Sequence, residues 1–149
     1  MITVHTADNR HVDAFNRVLG SDVPQSWSTL MAPTSRCLLA ETSEGEPVGL
    51  VEAQRAGGDM EIIMIATARP FRRQGIATRM LGELLMRGKS EDVERMILEV
   101  AEDNAPARAL YAAAEFTEVA RRPDYYRNRK DGRSCDALLL AYRFASGVS

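Results

Sequence analysis

The chain has 149 residues, of which 45% are hydrophobic and 27% charged, and its formal net charge is −2. A chain of this length can bury about two thirds of its unfolded surface, so we expect one domain over residues 1–149. Its apolar runs are far shorter than the roughly 18 residues of a membrane span, and its N-terminus lacks the regions of a cleavable leader. Its charge exerts no general attraction on nucleic acid. We therefore expect a soluble cytoplasmic protein without membrane partners, and nucleic-acid contact only incidentally.

The chain contains two cysteines and two histidines. Cys37 and Cys135 each stand beside aliphatic residues, which argues against a disulfide framework and predicts two small core residues. His5 and His11 lack the partner spacing that is typical of a metal site. We therefore expect no bound metal.

The hydrophobic patterns of the first 68 residues predict a strand, a helix that Gly20 ends, a short second helix and three consecutive antiparallel strands. Trp27, in the short helix, is either a core residue or a residue that borders a substrate groove. The predicted ranges are residues 2–6, about 10–19, the segment after Pro24, and 36–41, 47–53 and 60–68.

The next stretch, Arg72-Arg73-Gln74-Gly75-Ile76-Ala77, organises the chain. It connects the last of these strands to a helix predicted to run to about Lys89, with Gly88 ending the apolar pattern. Glycine permits close approach of the backbone, and the unpaired N–H groups of a helix N-terminus attract anions. Two arginines add charge that can pair with phosphate oxygens. The stretch therefore predicts a phosphate-binding loop.

The C-terminal part is predicted to contain a strand, a helix, a strand, a basic loop and a last strand. Asn104 can cap the helix, and Pro106 falls in its first turn, where a missing N–H costs little. The basic loop has six positive charges and is either solvated or part of an acceptor site. The predicted strands are 96–100, 116–120 and 137–142, and the loop charges are Arg121, Arg122, Arg127, Arg129, Lys130 and Arg133.

The spacing Arg72-x-x-Gly75-x-Ala77, together with Asn104, the helix through Tyr111, and Phe116, resembles the GNAT superfamily of acetyl-CoA-dependent N-acyltransferases. A Walker-type loop and a dinucleotide-binding loop both need residues that this stretch lacks. The resemblance implies an α/β (α+β) fold: a central mixed, mostly antiparallel sheet of six or seven strands flanked by about four helices. It also implies that strands four and five splay apart and hold the pantetheine arm of acetyl-CoA between them.

A narrower resemblance covers residues 60–144 and, more loosely, the segment around Trp27. Here the chain is similar to the bacterial ribosomal-protein-alanine N-acetyltransferases, the RimI group, which implies that the acceptor is the N-terminal amine of a small-subunit ribosomal protein. Glu115 departs from the family, which usually has glycine at the turn after Tyr111. Two alternatives stay open: an acetyltransferase for a small-molecule amine, such as an antibiotic or polyamine, and a CoA-binding regulatory module without catalysis.

Acyl transfer from a thioester requires a neutral attacking amine, so a carboxylate, or a water that it orders, must take a proton. By alternation Glu99 shares a sheet face with Ile97. It is either a strand-end carboxylate paired with an arginine or the base, the role that the resemblance assigns to the matching glutamate. Glu61 on the preceding strand is the rival base, or it holds the charged amine of the acceptor. Tyr111 is either an aromatic residue packed in the core or the acid, the role that the resemblance implies, because a phenol can give a proton to the departing sulfur.

We therefore predict catalytic roles for Glu99 and Tyr111. The N–H groups near the end of the fourth strand are expected to bind the pantetheine amides and the thioester carbonyl. We expect the acceptor to contact Trp27, Glu61, Tyr125 and Tyr126. Acetyl-CoA, as the acyl-donor substrate, is expected to contact Ile65, Ala66, Thr67, Arg72, Arg73, Gln74, Gly75, Ile76, Ala77, Thr78, Asn104, Ala107 and Tyr111.

Overall fold

The computed structural model describes residues 1–19, 33–126 and 134–145. These residues form one seven-stranded sheet and three α-helices, which confirms the predicted fold class. The strands are β1 Ile2–Ala7, β2 Cys37–Thr42, β3 Pro47–Ala56, β4 Asp59–Thr67, β5 Arg95–Ala101, β6 Thr117–Tyr126 and β7 Cys135–Arg143. The helices are α1 Val12–Leu19, α2 Ile76–Ser90 and α3 Ala105–Ala113, and short 3-10 turns occupy Asn9–His11 and Arg69–Phe71.

The predicted number of helices, about four, is slightly too high for the described residues. The short helix predicted after Pro24, with Trp27, lies outside the described residues. None of the helices in the described part of the chain combines the length and the hydropathy that crossing a bilayer requires.

The strands follow the order β1-β2-β3-β4-β5-β7-β6, and every neighbouring pair is antiparallel except β4 and β5, which are parallel. The β4–β5 pairing runs from Asp59 opposite Arg95 to Ile62 opposite Leu98 and then stops. Both strands continue beyond that point, β4 along β3 and β5 along β7. The predicted splay between the fourth and fifth strands is therefore confirmed, and we call this gap the wedge.

A β-bulge marks the point where β4 leaves β5. Glu52 of β3 pairs with Met64, and the next residue, Ala53, pairs with Ile62, so Ile63 is an extra residue in β4. A bulge bends its strand and increases the local twist. It directly follows the last β4–β5 pair at Ile62, so the bulge and the separation of the strands coincide.

The two faces of the sheet are covered differently. On the face that we call inner, side chains of α2 and of α3 pack on the strands in one large core that includes Met80, Leu84 and Tyr111. On the opposite, outer face, a smaller core around Phe15 of α1 covers part of β2 and β3. Each strand therefore contributes alternate residues to the two faces.

The roles of Gly88 and Cys135 differ from the sequence-based predictions. Helix α2 ends at Ser90, close to the predicted end at about Lys89, and Gly88 is buried where an added Cβ would lie 2.7 Å from the ring of Phe144. Close packing against this aromatic ring, rather than a helix stop, explains the glycine. Cys37 is a buried core residue as predicted, whereas Cys135 is only half-buried at the start of β7, beside the carbonyl of Asp136.

The predicted basic loop is also partly wrong. The segment from Arg121 to Tyr126 belongs to strand β6, because it pairs with β7. The Arg121 guanidinium is not simply solvated: its nitrogens lie 3.1–3.3 Å from carboxylate oxygens of Glu102, Glu118 and Asp136. The remaining predicted loop charges, Arg127, Arg129, Lys130 and Arg133, lie outside the described residues.

The turn after α3 keeps its shape although glycine is missing. Glu115 has a φ of 70°, in the left-handed region that favours glycine. The Phe116 N–H donates to the Tyr111 carbonyl at 3.0 Å, and the Glu115 N–H donates to the Ala112 carbonyl at 3.0 Å. The helix end is thus closed by hydrogen bonds at the cost of backbone strain in Glu115.

Candidate functional site

The loop after β4 turns sharply into α2. Nε of Arg72 donates a hydrogen bond to the carbonyl oxygen of Thr67 at 3.1 Å, which ties the loop to the end of the strand. Arg73 and Gly75 have φ angles of 66° and 78°, both in the left-handed region. Arg72, Arg73, Gln74 and Gly75 are all exposed. The loop therefore presents backbone and positive charge to its surroundings.

The N-terminus of α2 presents backbone N–H groups that have no partner within the helix. Gly75 is the capping residue and provides no side-chain hydrogen bond to the helix, while its carbonyl accepts from the N–H of Arg79 at 3.0 Å. The N–H groups of Ile76, Ala77 and Thr78 precede the first intrahelical donor and so remain available to an anion. A Cβ at Gly75 would meet no atom of the described chain within 4 Å, so the space beside this glycine is open.

The wedge supplies a second set of backbone groups. Ile65, Ala66 and Thr67 of β4 pair with Val51, Leu50 and Gly49 of β3 on one side, and they lie beyond the last β5 pair on the other. Successive N–H groups of a strand alternate between its two edges. Some N–H groups of this segment consequently face the wedge, where an extended ligand with amide groups can pair with them.

Glu99 lies on the β5 side of the wedge. As alternation predicts, it shares the outer face with Ile97, and its cross-strand partner on β7 is Leu139. Its side chain is 30% exposed, and its Oε2 atom lies 3.8 Å from Nη2 of Arg122. That distance is within reach of an ion pair but too long for a hydrogen bond. Both oxygens of the carboxylate can therefore accept from a ligand or a water.

Arg122 also connects Glu99 to the aromatic pair that was predicted to contact the acceptor. The guanidinium carbon of Arg122 lies 5.5 Å from the ring centroid of Tyr125, a cation–π distance. The rings of Tyr125 and Tyr126 pack edge to face with centroids 5.2 Å apart. Sequence reasoning assigned Arg122 only to a basic loop, because its contact with Glu99 depends on the pairing of β6 with β7.

Tyr111 lies on the inner side of the sheet. Tyr111 is only 5% exposed, and its ring packs edge to face on that of Phe116 with centroids 5.5 Å apart. Burial raises the pKa of Tyr111 to about 12. The phenol therefore keeps its proton at neutral pH and can act only as a donor of that proton, not as a base.

Asn104 caps α3, as its position predicts. Its side-chain oxygen accepts a hydrogen bond from the N–H of Ala107 at 3.3 Å, and Pro106 occupies the first turn. The cap fixes where the helix begins after β5. It thereby sets the position of Tyr111, about two turns along the helix, relative to Glu99.

Glu61 lies on β4 at the paired end of the two strands. It is exposed, and its cross-strand neighbours are Gln54 of β3 and Ile97 of β5. It therefore shares the outer face with Glu99, one row away. Ile63, the bulge residue between Glu61 and the wedge, is 47% exposed. Trp27, the remaining predicted acceptor contact, lies outside the described residues.

The candidate site is an open surface rather than an enclosed cavity. A cavity of about 500 Å³ beside the loop after β4 is lined partly by Ala68, Pro70 and Phe71. Cavities of about 350 and 310 Å³ lie near β6 and β7. In the described part of the chain these three cavities are lined by neither Glu99 nor Tyr111, so we define the site by the wedge and its backbone groups.

The histidines form local contacts on the outer side of β1. Nε2 of His5 contacts a carboxylate oxygen of Glu41, and Nδ1 of His11 accepts from the N–H of Asp8 at 3.0 Å. Within residues 1–19, 33–126 and 134–145, no three His, Cys, Asp or Glu side chains are grouped as metal ligands.

Comparison with known proteins agrees with this geometry. The acetyltransferase (GNAT) family matches residues 6–116. The chain is 31% identical over 100 residues to the [ribosomal protein bS18]-alanine N-acetyltransferase of Escherichia coli K12, covering 67% of this chain and 66% of that enzyme, just under two thirds of its length. It is 39% identical over 82 residues to an N-alpha-acetyltransferase of Saccharolobus solfataricus, covering 54% of this chain and 46% of that protein.

Solved structures show the same fold. The crystal structure of the E. coli ribosomal-protein-S18-alanine N-acetyltransferase superimposes with a TM-score of 0.86 at 23% identity, covering 100% of this chain and 99% of that one. A GNAT acetyltransferase from Elizabethkingia anophelis, crystallised with acetyl-CoA, superimposes with a TM-score of 0.79 at 19% identity, covering 96% and 98% of the two chains. Because the family match spans residues 6–116 of 149, this chain belongs to the acetyltransferase (GNAT) family.

Proposed function

We propose that this chain transfers the acetyl group of acetyl-CoA to the N-terminal α-amine of a protein, and that the acceptor is a small-subunit ribosomal protein with N-terminal alanine. The observation that carries the proposal is the wedge, which leaves β4 backbone groups beside Glu99. The names of the E. coli and S. solfataricus relatives support the class of acceptor. Such an acceptor is made in the cytoplasm, which is where we place the enzyme.

Backbone N–H groups of α2 and β4 form most of the proposed acetyl-CoA site. The N–H groups at the N-terminus of α2, with the charges of Arg72 and Arg73, would hold the diphosphate of acetyl-CoA. The wedge-facing N–H groups between Ile65 and Thr67 would bind the pantetheine amides and the thioester carbonyl oxygen. Acetyl-CoA, when bound, supplies the acetyl group as an activated thioester.

Glu99 acts as the base on the acceptor amine. An α-amine with a pKa near 8 is roughly one tenth neutral at pH 7, whereas a lysine amine near 10.4 is neutral at less than about one part in a thousand. A carboxylate on an open face is sufficient for the α-amine, and Glu99 takes its proton directly or through one water. Glu61, one row away on the same face, would hold the peptide or act in place of Glu99.

Tyr111 acts as the acid. As the amine nitrogen bonds to the carbonyl carbon, the bond from that carbon to sulfur breaks, and the Tyr111 hydroxyl gives its proton to the sulfur. The high pKa that burial imposes keeps this proton on Tyr111 until it is needed. The proton that Glu99 took from the amine balances the one that Tyr111 gave. Because the amine attacks the thioester directly, no covalent enzyme intermediate forms.

A competition between acceptors tests the proposal. The protein would be incubated with acetyl-CoA and an alanine-initiated peptide, with the same peptide blocked at its α-amine but carrying a lysine, and with a polyamine. We expect mass spectrometry to place the acetyl group on the free α-amine of the first peptide only. Preferred acetylation of the polyamine would replace the proposal by a small-molecule acetyltransferase, and thiol release without an acetylated acceptor would indicate a CoA-binding module.

A further inference from the structure

Arg122 is the charged neighbour of Glu99 across the outer face. The two side chains come from strands that do not pair directly: β6 pairs with β7, and β7 pairs with β5. In register, Arg122 lies opposite Ala137, and Ala137 lies opposite Ala101, two residues beyond Glu99. The sheet itself therefore brings the guanidinium next to the candidate base.

The contact is electrostatic rather than a hydrogen bond. Nη2 of Arg122 stays 3.8 Å from Oε2 of Glu99, while the guanidinium lies over the ring of Tyr125. A positive charge at this distance attracts the carboxylate and holds it in place but leaves its oxygens free to accept a hydrogen bond. A direct hydrogen-bonded pair would instead occupy the atoms that must act on the amine.

The same charge acts on the acceptor. An acceptor amine that reaches Glu99 also comes close to Arg122, and a nearby like charge disfavours an ammonium ion. The charged groups of β4 and β5 on this face are Glu61, near the paired end, and Arg95, which is bound to Asp59 by two hydrogen bonds. Arg122 is thus the cation that the structure places beside Glu99.

From this arrangement we infer that Arg122 is a positioning residue that holds Glu99 in place with its oxygens free and selects the neutral form of the acceptor amine. The inference rests on the proposed function, because it assigns Arg122 a role in the same reaction. It also explains why a base on an open face can discriminate: the protonated amine is repelled by Arg122 and the neutral amine is not.

Steady-state kinetics of Arg122→Ala with the alanine-initiated peptide test the inference. Both side chains are partly exposed, at 56% and 30%, so we expect a decrease in kcat of about fivefold at low salt. The acceptor KM should stay equal or fall, because Glu99 without Arg122 binds the unreactive ammonium more tightly. A variant that was merely partly misfolded would lower the apparent kcat at unchanged KM and would keep the salt dependence of the wild type.

Three further measurements sharpen the test. Arg122→Lys should restore most of kcat, since it keeps the charge, and added salt should lower the wild-type kcat towards that of Arg122→Ala. In a Glu99→Gln background, Arg122→Ala should have a smaller effect than in the wild type, because the attraction to Glu99 is absent and only the repulsion of the ammonium remains. Arg143→Ala is the matched control: Arg143 is an exposed arginine of the neighbouring strand β7 at the other end of the sheet, and its removal should leave kcat unchanged.

The outcomes separate the two proposals. Suppose that the wild type is active. If Arg122→Ala then has an unaltered kcat, or if the losses of Arg122→Ala and Glu99→Gln are additive, the role of Arg122 is overturned and the proposed function stays intact. A wild type that acetylates no α-amine overturns the proposed function, and the inference with it.

Discussion

Strands β4 and β5 are organised differently at their two ends. At the paired end, Met60 and Met96 are fully buried, and Arg95 makes two hydrogen bonds to Asp59 at 2.9 and 3.1 Å. At the wedge end, Ile63 is 47% exposed, and Glu99 lies 3.8 Å from Arg122 without a hydrogen bond between them. A continued ladder would satisfy the N–H groups of β4 within the sheet. The strands can offer these groups to a ligand only because their pairing stops.

The largest effect is expected for a charge placed just beyond the wedge end of β4. Gly75→Glu should abolish measurable CoA binding in titration calorimetry, because a carboxylate beside the loop repels the diphosphate and fills the space it needs. Gly57→Glu is the control at the paired end, since Gly57 also has a positive φ, 61°, and open space beside it. Tight binding by Gly75→Glu would show that the diphosphate lies elsewhere.

Removal of the proposed base should nearly eliminate turnover while the fold survives. Glu99→Gln is expected to lower kcat by about 10³, within the usual range for general acid–base catalysis, without weakening acetyl-CoA binding. Glu61→Gln, on the same face, should have a much smaller effect. If the two variants ranked in the opposite order, the base would be Glu61.

Truncating a side chain at the paired end should lower the free energy of unfolding more than truncating Ile63 at the wedge end. Met96→Ala deletes a fully buried side chain and is expected to lower the free energy of unfolding by about 2–5 kcal/mol. Ile63→Ala should change it by less than about 0.5 kcal/mol, because the bulge residue is half exposed. Urea denaturation of both variants measures the difference. Equal losses would mean that the wedge end is packed as tightly as the paired end.

The proposed acid, Tyr111 on the inner side of the sheet, is tested by removing its hydroxyl. Tyr111→Phe should lower kcat by about 10² and leave acetyl-CoA affinity almost unchanged, because only the donated proton is lost. Tyr142→Phe is the matched control: its ring packs in the same aromatic cluster, 5.8 Å from that of Phe116. Wild-type turnover in Tyr111→Phe would remove Tyr111 from the mechanism.

The smallest effect concerns strain outside the wedge. Glu115→Gly should raise the free energy of unfolding by about 1 kcal/mol, because glycine adopts the φ of 70° without the cost that a side chain imposes. Glu115→Ala keeps the Cβ and should bring no such gain. Neither variant is expected to change kcat, and a change would connect this turn to the site.

The elements that local pattern determines could be predicted from the sequence. The apolar run of β4, the glycine at the start of α2 and the Asn104 cap each depend on neighbours in the chain, and the structure shows all three. The splay was predicted only through a family resemblance. The bulge that coincides with the splay, the extra residue Ile63, leaves no local mark, because an apolar run with a bulge resembles one without.

The errors share a cause in long-range contact. The local sequence around Gly88 indicates the end of an apolar helix pattern. It does not show that Gly88 packs against the ring of Phe144, which follows β7. Arg121 and Arg122 were assigned to a loop because no neighbouring residue in the sequence indicates that this segment pairs with β7. Local charge patterns therefore predicted the exposure of these arginines but not their partners.

The incomplete pairing of β4 has a practical consequence for handling the protein. Without acetyl-CoA, the wedge presents a row of main-chain donors to which any extended segment, including one from another copy, can attach. Bound acetyl-CoA would cover these N–H groups. At a concentration a hundredfold above its Kd, it would stabilise the native state by about 2.7 kcal/mol. We therefore expect preparations that contain CoA to melt at higher temperature and to aggregate less during storage.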